Sequence, residues 1–328
     1  MNHVVIIGAA GMVGAKLTRR LLADGSLAVK RIDGLTLADW VAAAPPADAP
    51  FPVKTVAGDL SAPGVAEGLV ASRPDVIFHL AAIVSGEAEA DFDKGYRINL
   101  NGTRRLFDAV RKIGDGYRPR VVFTSSIAVF GAPFPEAIGD EFFQTPLTSY
   151  GTQKAIDELL LSDYTRRGFM DGIGIRLPTI CVRPGKPNKA ASGFFSGIIR
   201  EPLAGEEAIL PVPDTVRHWH ASPRSAVGFL VHAAGLDGNR LGSRRNLTMP
   251  GVAATVAEQI AALRKVAGDA VASRIRREPD ATIMRIVEGW PRNFVPERAL
   301  ALGFRAEDSF EEIIRIHIED ERGGTWVK

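Results

Sequence analysis

The sequence predicts an α/β protein: a doubly wound parallel sheet covered by helices on both faces, followed by a smaller C-terminal lobe. The first strand, residues 4–7, is a run of four apolar residues, as expected for a strand buried on both faces. Strand-like and helix-like segments alternate through the first half of the chain, which favours a parallel sheet. After Leu177 short strands, helical pieces and a Pro- and Gly-rich stretch follow, so we expect a less regular lobe there.

Each predicted element is either a short apolar run or an amphipathic segment with the helical period. We expect one domain over residues 1–180 and a lobe over residues 181–328, with some segments of the lobe returning to pack on the first domain. The strands are predicted at residues 4–7, 35–38, 53–56, 76–80, 121–124, 173–177, 216–220 and 245–249. The helices are predicted at residues 12–24, 63–72, 93–112, 149–167, 194–203, 223–234 and 256–266.

The composition argues against several classes of function. The chain has 328 residues, of which 24% are charged, and its formal net charge of +2 provides no basic surface for nucleic acid. No apolar run is long enough to span a bilayer, and the first strand begins too early to leave room for a signal peptide. Cys181 is the only cysteine, so no intrachain disulfide can form. We therefore expect a cytoplasmic protein with neither a nucleic-acid nor a membrane partner.

A glycine-rich turn joins the first predicted strand to the first predicted helix. Gly8, Gly11 and Gly14 form the turn, and Met12 and Val13 begin the helix. Glycine lets a backbone approach a phosphate closely, and a helix start supplies free N–H groups and the positive end of the helix dipole. The turn therefore predicts a binding site for the pyrophosphate of a nucleotide cofactor, although a plain strand–helix junction can contain the same glycines.

Two acidic residues follow the second and third predicted strands. Asp39 lies 25 residues after Gly14, where a carboxylate can accept hydrogen bonds from the adenosine ribose. Such a carboxylate would repel the additional phosphate of NADP, so NAD is the expected cofactor; the alternative is a solvated acid at a strand end. Asp59 and Leu60 follow the third strand, where the adenine edge would lie.

A tyrosine and a lysine four residues apart, Tyr150 and Lys154, share one face of a predicted helix. A free tyrosine titrates near pH 10, so a phenolate that works near neutrality must be stabilised by about 4 kcal/mol. A neighbouring ammonium can supply much of this, although any exposed helix can carry such a pair. Ser125 and Ser126 follow the fifth strand at the edge where ligands bind, and Ser126 can hold a substrate oxygen or act as a helix N-cap.

Taken together, these motifs resemble the short-chain dehydrogenase/reductase superfamily, in its extended branch, the NAD-dependent epimerase/dehydratase family with its Rossmann-type sheet. They occur in the family order over roughly the first 180 residues. The resemblance implies that Tyr150 is the general acid/base, that Lys154 lowers its pKa and binds the nicotinamide ribose, and that Ser126 hydrogen-bonds the reacting oxygen. It implies further contacts with the cofactor, made by Leu80, Ala81, Ala82, Asn99, Ser125, Leu177, Pro178 and Thr179.

The residue after Ser126 and the loop over residues 182–192 indicate which branch of the family the chain resembles. Dehydratases of the family usually have an Asp-Glu pair where this chain has Ser126-Ile127, so dehydration is not expected. Residues 182–192 resemble the corresponding loop of sugar-acid dehydrogenases, which implies oxidation of a small sugar acid at the carbon next to its carboxylate. Such a substrate needs a cationic group and several hydrogen-bonding groups. The candidate substrate-binding residues are Ser126, Tyr150, Arg183, Asn188, Arg217 and His220.

Two other functions stay open. Arg217 aligns with the phosphate-binding arginine of nucleotide-sugar epimerases, so an epimerase with tightly held NAD is one alternative. A catalytically silent NAD-binding sensor or scaffold is the other, although the intact set of Ser126, Tyr150 and Lys154 argues against it.

Three further residues have alternative roles. Asn99 lies within a predicted helix, where it is either solvated or bends the helix and holds a water beside Lys154. His218 and His220 alternate along a strand, but no third ligand stands at a suggestive spacing, so no metal is expected. The resemblance also implies a homodimer, packed through the helices around Asn99 and Tyr150.

Overall fold

The central sheet has seven strands, which pair in parallel. Within the computed structural model, which describes residues 2–185 and 191–327, the strand order is β13-β9-β7-β6-β1-β4-β5. The strands are β1 (His3–Ile7), β2 (Ser26–Leu27), β3 (Lys30–Arg31), β4 (Gly34–Asp39), β5 (Val53–Ala57), β6 (Val76–His79), β7 (Arg120–Ser126), β8 (Ile138–Gly139), β9 (Asp171–Leu177), β10 (Thr179–Ile180), β11 (Ala208–Leu210), β12 (Arg217–Ala221), β13 (Asn246–Thr248), β14 (Val252–Thr255), β15 (Ile275–Arg277) and β16 (Phe294–Val295).

The helices occupy most of the predicted intervals and add several short elements near the C-terminus. The α-helices are α1 (Met12–Asp24), α2 (Val65–Val70), α3 (Ser85–Ala90), α4 (Phe92–Gly95), α5 (Gly102–Ile113), α6 (Ser149–Arg166), α7 (Gly193–Ala204), α8 (Pro223–Gly235), α9 (Val256–Ala267), α10 (Asp269–Ala272), α11 (Ala281–Glu288), α12 (Glu297–Ala301) and α13 (Phe310–Arg322). A π-helix covers Tyr96–Asn101, and 3₁₀ turns cover Ile127–Val129 and Gly238–Leu241.

The register of the sheet brings the predicted cofactor residues to one edge. Ile7, the last residue of β1, pairs with Ala38 of β4 on one side and with His79 of β6 on the other. The chain therefore leaves all three strands at the same level, and ligands of open α/β sheets bind at this carboxyl edge. The prediction of a doubly wound parallel sheet is confirmed.

Two compact units divide the chain. The first comprises Met1–Val129, Thr148–Arg176 and Val227–Thr248, and the second comprises Phe130–Leu147, Leu177–Ala226 and Met249–Lys328. Each unit is discontinuous; the sequence predicted a boundary at residue 180 with some segments of the lobe returning to the first domain. Segment 227–248 returns to the first unit because β13 pairs with β9 in the large sheet, and segment 130–147 belongs to the second because β8 pairs with β16.

The helix predicted over residues 93–112 is interrupted by a π-helical turn. Asn99 is buried in that turn, where its Oδ1 accepts a hydrogen bond from the Ile83 N–H at 2.8 Å. Its Nδ2 donates to Gln153 Oε1 at 2.8 Å. The amide is thus held by backbone and side-chain partners, and the interpretation of Asn99 as a solvated surface residue is wrong.

Each unit has its own apolar core. In the first, side chains of β1, β6 and β7 pack with Leu106 and Phe107 of α5. In the second, α7, α9 and α13 surround a cluster that includes Phe195, Leu263 and Ile314. Among the described residues, no helix combines the length and the apolar character that crossing a membrane requires.

The buried guanidinium of Arg245 anchors the returning segment, which yields a prediction about stability. Its Nε donates to the Gly172 carbonyl at 2.7 Å and its Nη1 to the Gly238 carbonyl at 2.6 Å. Arg245→Met should lower the free energy of unfolding by about 3 kcal/mol, because it leaves buried acceptors and the carboxylate of Asp171 without this partner. Urea denaturation measures the change. The exposed neighbour serves as the control: Arg244→Met should change stability little, and equal effects of the two variants would contradict the assignment.

Candidate active site

The glycine turn after β1 is held by close backbone contacts at its first and third glycines. Gly8 has a φ of 93°, and a Cβ placed there would lie 2.7 Å from the Ala81 nitrogen. A Cβ at Gly14 would lie 2.1 Å from the Gly8 carbonyl oxygen. Any larger side chain at either position would push the turn away from β6 or lift α1 off the turn, so both glycines are required by the fold itself.

The middle glycine of the turn differs from the other two. Gly11 has an ordinary extended backbone, with φ −67° and ψ 161°. Among the described residues, a Cβ there would meet one atom, the Gly8 oxygen, at 3.4 Å. Neither the backbone nor a neighbouring protein atom therefore demands glycine at this position. The residue lines a cavity, so the small size is explained by a ligand that fills the space, as a pyrophosphate would.

The start of α1 is suited to an anion. Gly11 provides no side-chain cap, and the first turn contains no acidic residue. The first-turn N–H groups, which include those of Met12 and Val13, have no acceptor within the helix. They carry the partial positive charge of the helix N-terminus. The residues present fit the phosphates of a dinucleotide.

A cavity of about 730 Å³ adjoins this turn. Its lining includes many of the predicted cofactor-binding residues of the first unit and further residues that were not predicted. The predicted lining residues are Gly8, Gly11, Asp39, Asp59, Leu60, Leu80, Ala81 and Ala82, and the further ones include Trp40, Val41, Lys94 and Arg97.

The carboxylate of Asp39 is oriented by backbone N–H groups. One oxygen accepts a hydrogen bond from Ala10 N–H at 2.8 Å, and the other accepts from Trp40 N–H at 2.7 Å. These bonds fix the carboxylate at the end of β4 beside the glycine turn. Its remaining lone pairs can accept further hydrogen bonds, and the contact with ribose hydroxyls stays a prediction.

Asp59 is bound within the wall of the same cavity. Its Oδ1 accepts from the N–H and the hydroxyl of Ser61 at 2.8 and 2.7 Å, and its Oδ2 is paired with Arg97. Burial by itself would raise the pKa of Asp59, but the hydrogen bonds from Ser61 and Arg97 outweigh it and hold that pKa below its ordinary value. Asp59 is therefore a charged part of the wall. The sequence did not identify Arg97 as a lining residue of the cavity, because it lies in the π-helical turn, where a regular helix was predicted.

Tyr150 and Lys154 lie in the first two turns of α6. The Thr148 hydroxyl caps this helix by accepting a hydrogen bond from the Gly151 N–H at 3.0 Å. The Lys154 ammonium donates to the Thr124 carbonyl at 2.8 Å, and its Nζ lies 5.8 Å from the centroid of the Tyr150 ring. Lys154 is only 2% exposed, and burial lowers its pKa.

The two serines at the end of β7 face opposite sides of the sheet. Ser126 is half-buried, and its Oγ accepts a hydrogen bond from the Ala128 N–H at 3.1 Å. Ser125 is buried and donates to Glu158 at 2.5 Å. Glu158 also forms an ion pair with Arg176 at 2.7 Å. Ser126 thus has room for an external partner, whereas a cofactor contact by the Ser125 side chain, which stays a prediction, would require its hydroxyl to leave Glu158.

The predicted residues of the second unit have varied surroundings. Thr179 bonds to His218 Nε2 at 2.7 Å, while Leu177 and Pro178 precede it along the chain. Arg183 donates from its Nε to the Ile180 carbonyl at 3.1 Å. Asn188 lies outside the described residues.

Arg217 and His220, two residues of β12, differ in accessibility. Arg217 is partly exposed and lies 3.4 Å from Glu258. His220 is fully buried beside Phe195 and Phe310, and burial holds its pKa well below the ordinary value. His220 is thus a neutral core residue in this structure, and a substrate contact by it would require the ring to become exposed.

Cys181 and the two histidines of β12 do not form a reactive or metal-binding group. Burial raises the pKa of the Cys181 thiol to about 12, so the thiol is protonated at neutral pH. Burial lowers the pKa of His218 to about 4. Among the described residues, no group of three His, Cys, Asp or Glu side chains is arranged to hold a metal ion.

Comparison with known proteins places the chain in a family. The model of the NAD dependent epimerase/dehydratase family matches residues 4–220. The chain is 51% identical over 325 residues to the D-erythronate dehydrogenase of Cupriavidus necator, covering 97% of this chain and 98% of that protein. It is 43% identical to the D-erythronate dehydrogenase of Haemophilus influenzae, covering 96% and 98%. The chain therefore belongs to the NAD-dependent epimerase/dehydratase family.

A solved structure is also closely similar. It is the crystal structure described as the nucleoside-diphosphate-sugar epimerase from Agrobacterium tumefaciens, with a TM-score of 0.97 and 69% identity, covering 99% of this chain and 95% of that chain. Family membership confirms NAD as the cofactor and the prediction of an NAD-dependent dehydrogenase of the short-chain dehydrogenase/reductase superfamily.

The different constraints on Gly11 and Gly14 predict different mutant behaviour. Gly11→Ala should fold normally, because its nearest neighbour stands at 3.4 Å, but should weaken NAD⁺ binding by about 10-fold, since the methyl group occupies ligand space. Gly14→Ala should lower the melting temperature, because its methyl group meets the Gly8 carbonyl. Calorimetric titration and thermal unfolding separate these outcomes. Unchanged affinity in Gly11→Ala would contradict the pyrophosphate assignment.

Proposed function

We propose that this protein oxidises the C2 hydroxyl of a small sugar acid, D-erythronate or a close relative, to the 2-oxo acid with NAD⁺. The observation that carries the catalytic part is the buried ammonium of Lys154 beside the Tyr150 ring. The substrate class rests on the two relatives named D-erythronate dehydrogenase, which match this chain over nearly its full length.

The phosphate and ribose contacts of the cofactor are proposed on residues of the first unit. The helix start after Gly11 receives the pyrophosphate, Asp39 receives the adenosine ribose, and Lys154 reaches the nicotinamide ribose. Leu177, Pro178 and Thr179 remain proposed contacts with the nicotinamide. When bound, NAD⁺ supplies an acceptor for the hydride that leaves the substrate carbon.

Residues of the chain accept the proton and hydrogen-bond the oxygen of the reacting alcohol. The Tyr150 phenolate accepts the hydroxyl proton while the C–H bond of the same carbon breaks. The Ser126 hydroxyl hydrogen-bonds the oxygen as its bond to carbon becomes a carbonyl double bond. The Lys154 ammonium stabilises the phenolate electrostatically, and its burial strengthens that effect because little water screens the charge.

Recognition of the acid is assigned to cationic groups of the second unit. Arg217 is the first candidate for the substrate carboxylate, since its guanidinium is partly exposed and its contact with Glu258, at 3.4 Å, is long. Arg183 and Asn188 are further candidates, and His220 is a candidate whose ring is buried. A homodimer stays a prediction.

Tyr150→Phe should abolish turnover and leave cofactor binding intact. Removing the phenolic oxygen takes away the general base, so kcat should fall by at least about 100-fold. NAD⁺ affinity, measured by calorimetric titration, should be unchanged. Tyr164→Phe is a matched control on the same helix, because the Tyr164 hydroxyl donates to Asp108 at 2.9 Å and has no part in the proposed reaction. Undiminished turnover in Tyr150→Phe would remove this residue from the role.

A nucleotide-sugar epimerase is the second candidate function, favoured by two observations. The 69% identical structure is described as such an epimerase. The second unit also contains a cavity of about 1,630 Å³, lined by Arg217, Arg285 and Arg292 together with Phe134 and Met284. This volume exceeds what a four-carbon acid needs, and three guanidinium groups suit a diphosphate.

A substrate panel separates the two functions. Four- to six-carbon aldonic acids, with D-erythronate among them, should reduce NAD⁺ to NADH, measured by absorbance, and NADP⁺ should be reduced far more slowly because of Asp39. UDP-hexoses should be neither epimerised nor bound at micromolar concentration. Epimerisation of a UDP-hexose without oxidation of any aldonic acid would favour the second candidate. If no substrate is oxidised and none is epimerised, the result would favour a catalytically silent NAD-binding protein.

A further inference from the structure

A buried polar cluster lies one helical turn beyond Lys154. Asp157 of α6 is 0% exposed, and its Oδ2 contacts the Thr103 Oγ1 of α5 at 3.3 Å. The same hydroxyl contacts His79 Nε2 of β6 at 2.9 Å and the Asn99 carbonyl at 2.5 Å. One hydroxyl thus joins α5, α6 and β6 in the interior of the first unit.

The hydroxyl of Thr103 has a single hydrogen and three partners. The Asn99 carbonyl can only accept, and it is the nearest partner, so it takes that hydrogen. The lone pairs of the oxygen then face His79 Nε2 and Asp157 Oδ2, so each of these two atoms must act as the hydrogen-bond donor. His79 does so as the neutral Nε2–H tautomer, and burial lowers its pKa to about 3. Asp157 can do so only as a carboxylic acid.

The other carboxyl oxygen of Asp157 supports the same conclusion. Its Oδ1 is buried and has no hydrogen-bond partner among the described residues. An ionised carboxylate would be costly in this interior, because one oxygen would have no hydrogen bond and the other only a long one. Leaving the carbonyl oxygen of a neutral acid without a hydrogen bond costs less. Burial also holds the pKa of Asp157 well above its ordinary value, against the opposing charge of Lys154.

We propose that Asp157 is a neutral carboxylic acid in the folded protein, that its O–H donates a hydrogen bond to the Thr103 oxygen, and that it thereby leaves the positive charge of Lys154 undiminished beside Tyr150. Asp157 is a positioning residue in this scheme: it ties α6 to α5 without adding a counter-charge to the ammonium.

The other groups that face Lys154 are consistent with this role. His79 of β6 is neutral, and the contacts from β7 are the Thr124 carbonyl and the Phe123 ring, whose centroid lies 4.6 Å from Nζ. Glu158 is the remaining carboxylate nearby, but Arg176 pairs with both of its oxygens. The ammonium therefore has no ion-pair partner of its own among these groups, and its field acts on the phenol. This consequence for Tyr150 rests on the proposed function, whereas the protonation of Asp157 does not.

The stability of Asp157→Asn as a function of pH tests the proposal. An acid whose pKa is raised by folding costs stability progressively as the pH rises above its unfolded pKa of about 3.9. Asparagine has the shape and the donor of the neutral acid but never ionises. The melting temperature of Asp157→Asn relative to the wild type should therefore increase as the pH rises from about 4 to about 8. An ionised Asp157 paired with Lys154 would instead have a folded-state pKa below its unfolded value, so the variant would lose stability relative to the wild type as the pH rises to about 5, and the difference would stay constant from there to about pH 8.

Two comparisons keep the test decisive. Asp163→Asn is the matched control on α6, since Asp163 is 57% exposed and paired with Arg166, and its pH dependence should be weak. Carbon-13 NMR of aspartate-labelled wild-type protein at pH 7 provides an answer even if Asp157→Asn does not fold. One aspartate resonance should have the shift of a neutral acid, and finding none would overturn the proposal.

The activity of the variant separates this proposal from the proposed function. The pH profile of kcat/KM should be the same in Asp157→Asn and in the wild type, because a neutral group replaces a neutral group. A profile displaced to lower pH would show that a negative charge beside Lys154 had been removed, which overturns the proposal. If no aldonic acid is oxidised at all, the proposed function fails, while the stability and NMR measurements still decide the protonation of Asp157.

Discussion

The enclosure of one ammonium group, that of Lys154, organises the centre of the first unit. Among the described residues the group has one hydrogen-bond acceptor, the Thr124 carbonyl at the end of β7, so its position depends on the sheet edge as much as on its own helix. Tyr150 is placed relative to that charge by one turn of α6, whose start is set by the Thr148 cap. The geometry of strand end, cap and helix turn thus decides where the positive charge meets the phenol.

Much of the fold was predictable from local pattern. The apolar runs of β1, β4, β6 and β7 and the amphipathic period of α1 identify these elements within a residue or two, because burial on a parallel sheet and burial of one helical face leave strong periodic signals. The glycine turn and Asp39 were predictable for a related reason, since close backbone approach and a fixed carboxylate each demand a particular residue at a particular place.

Other features have no local signal. The π-turn at Tyr96–Asn101 arises because the Asn99 amide bonds to Ile83 and Gln153, and these partners are distant in sequence. The exchange of segments between the two units depends on strand pairing at the far edge of the sheet, and neither composition nor periodicity specifies which sheet a short strand joins. The buried state of His218 and His220 follows from their aromatic neighbours, whereas alternation along β12 allowed either face.

The alternation of the chain between its two units also has a consequence for folding during synthesis. The chain passes from one unit to the other after residues 129, 147, 176, 226 and 248. The large sheet obtains its last strand only when β13 has been synthesised, more than two thirds of the way along the chain. A nascent polypeptide emerging from the ribosome therefore holds an unfinished sheet edge for most of its synthesis, and a fragment cut at residue 180 would expose β9 as an unprotected edge strand.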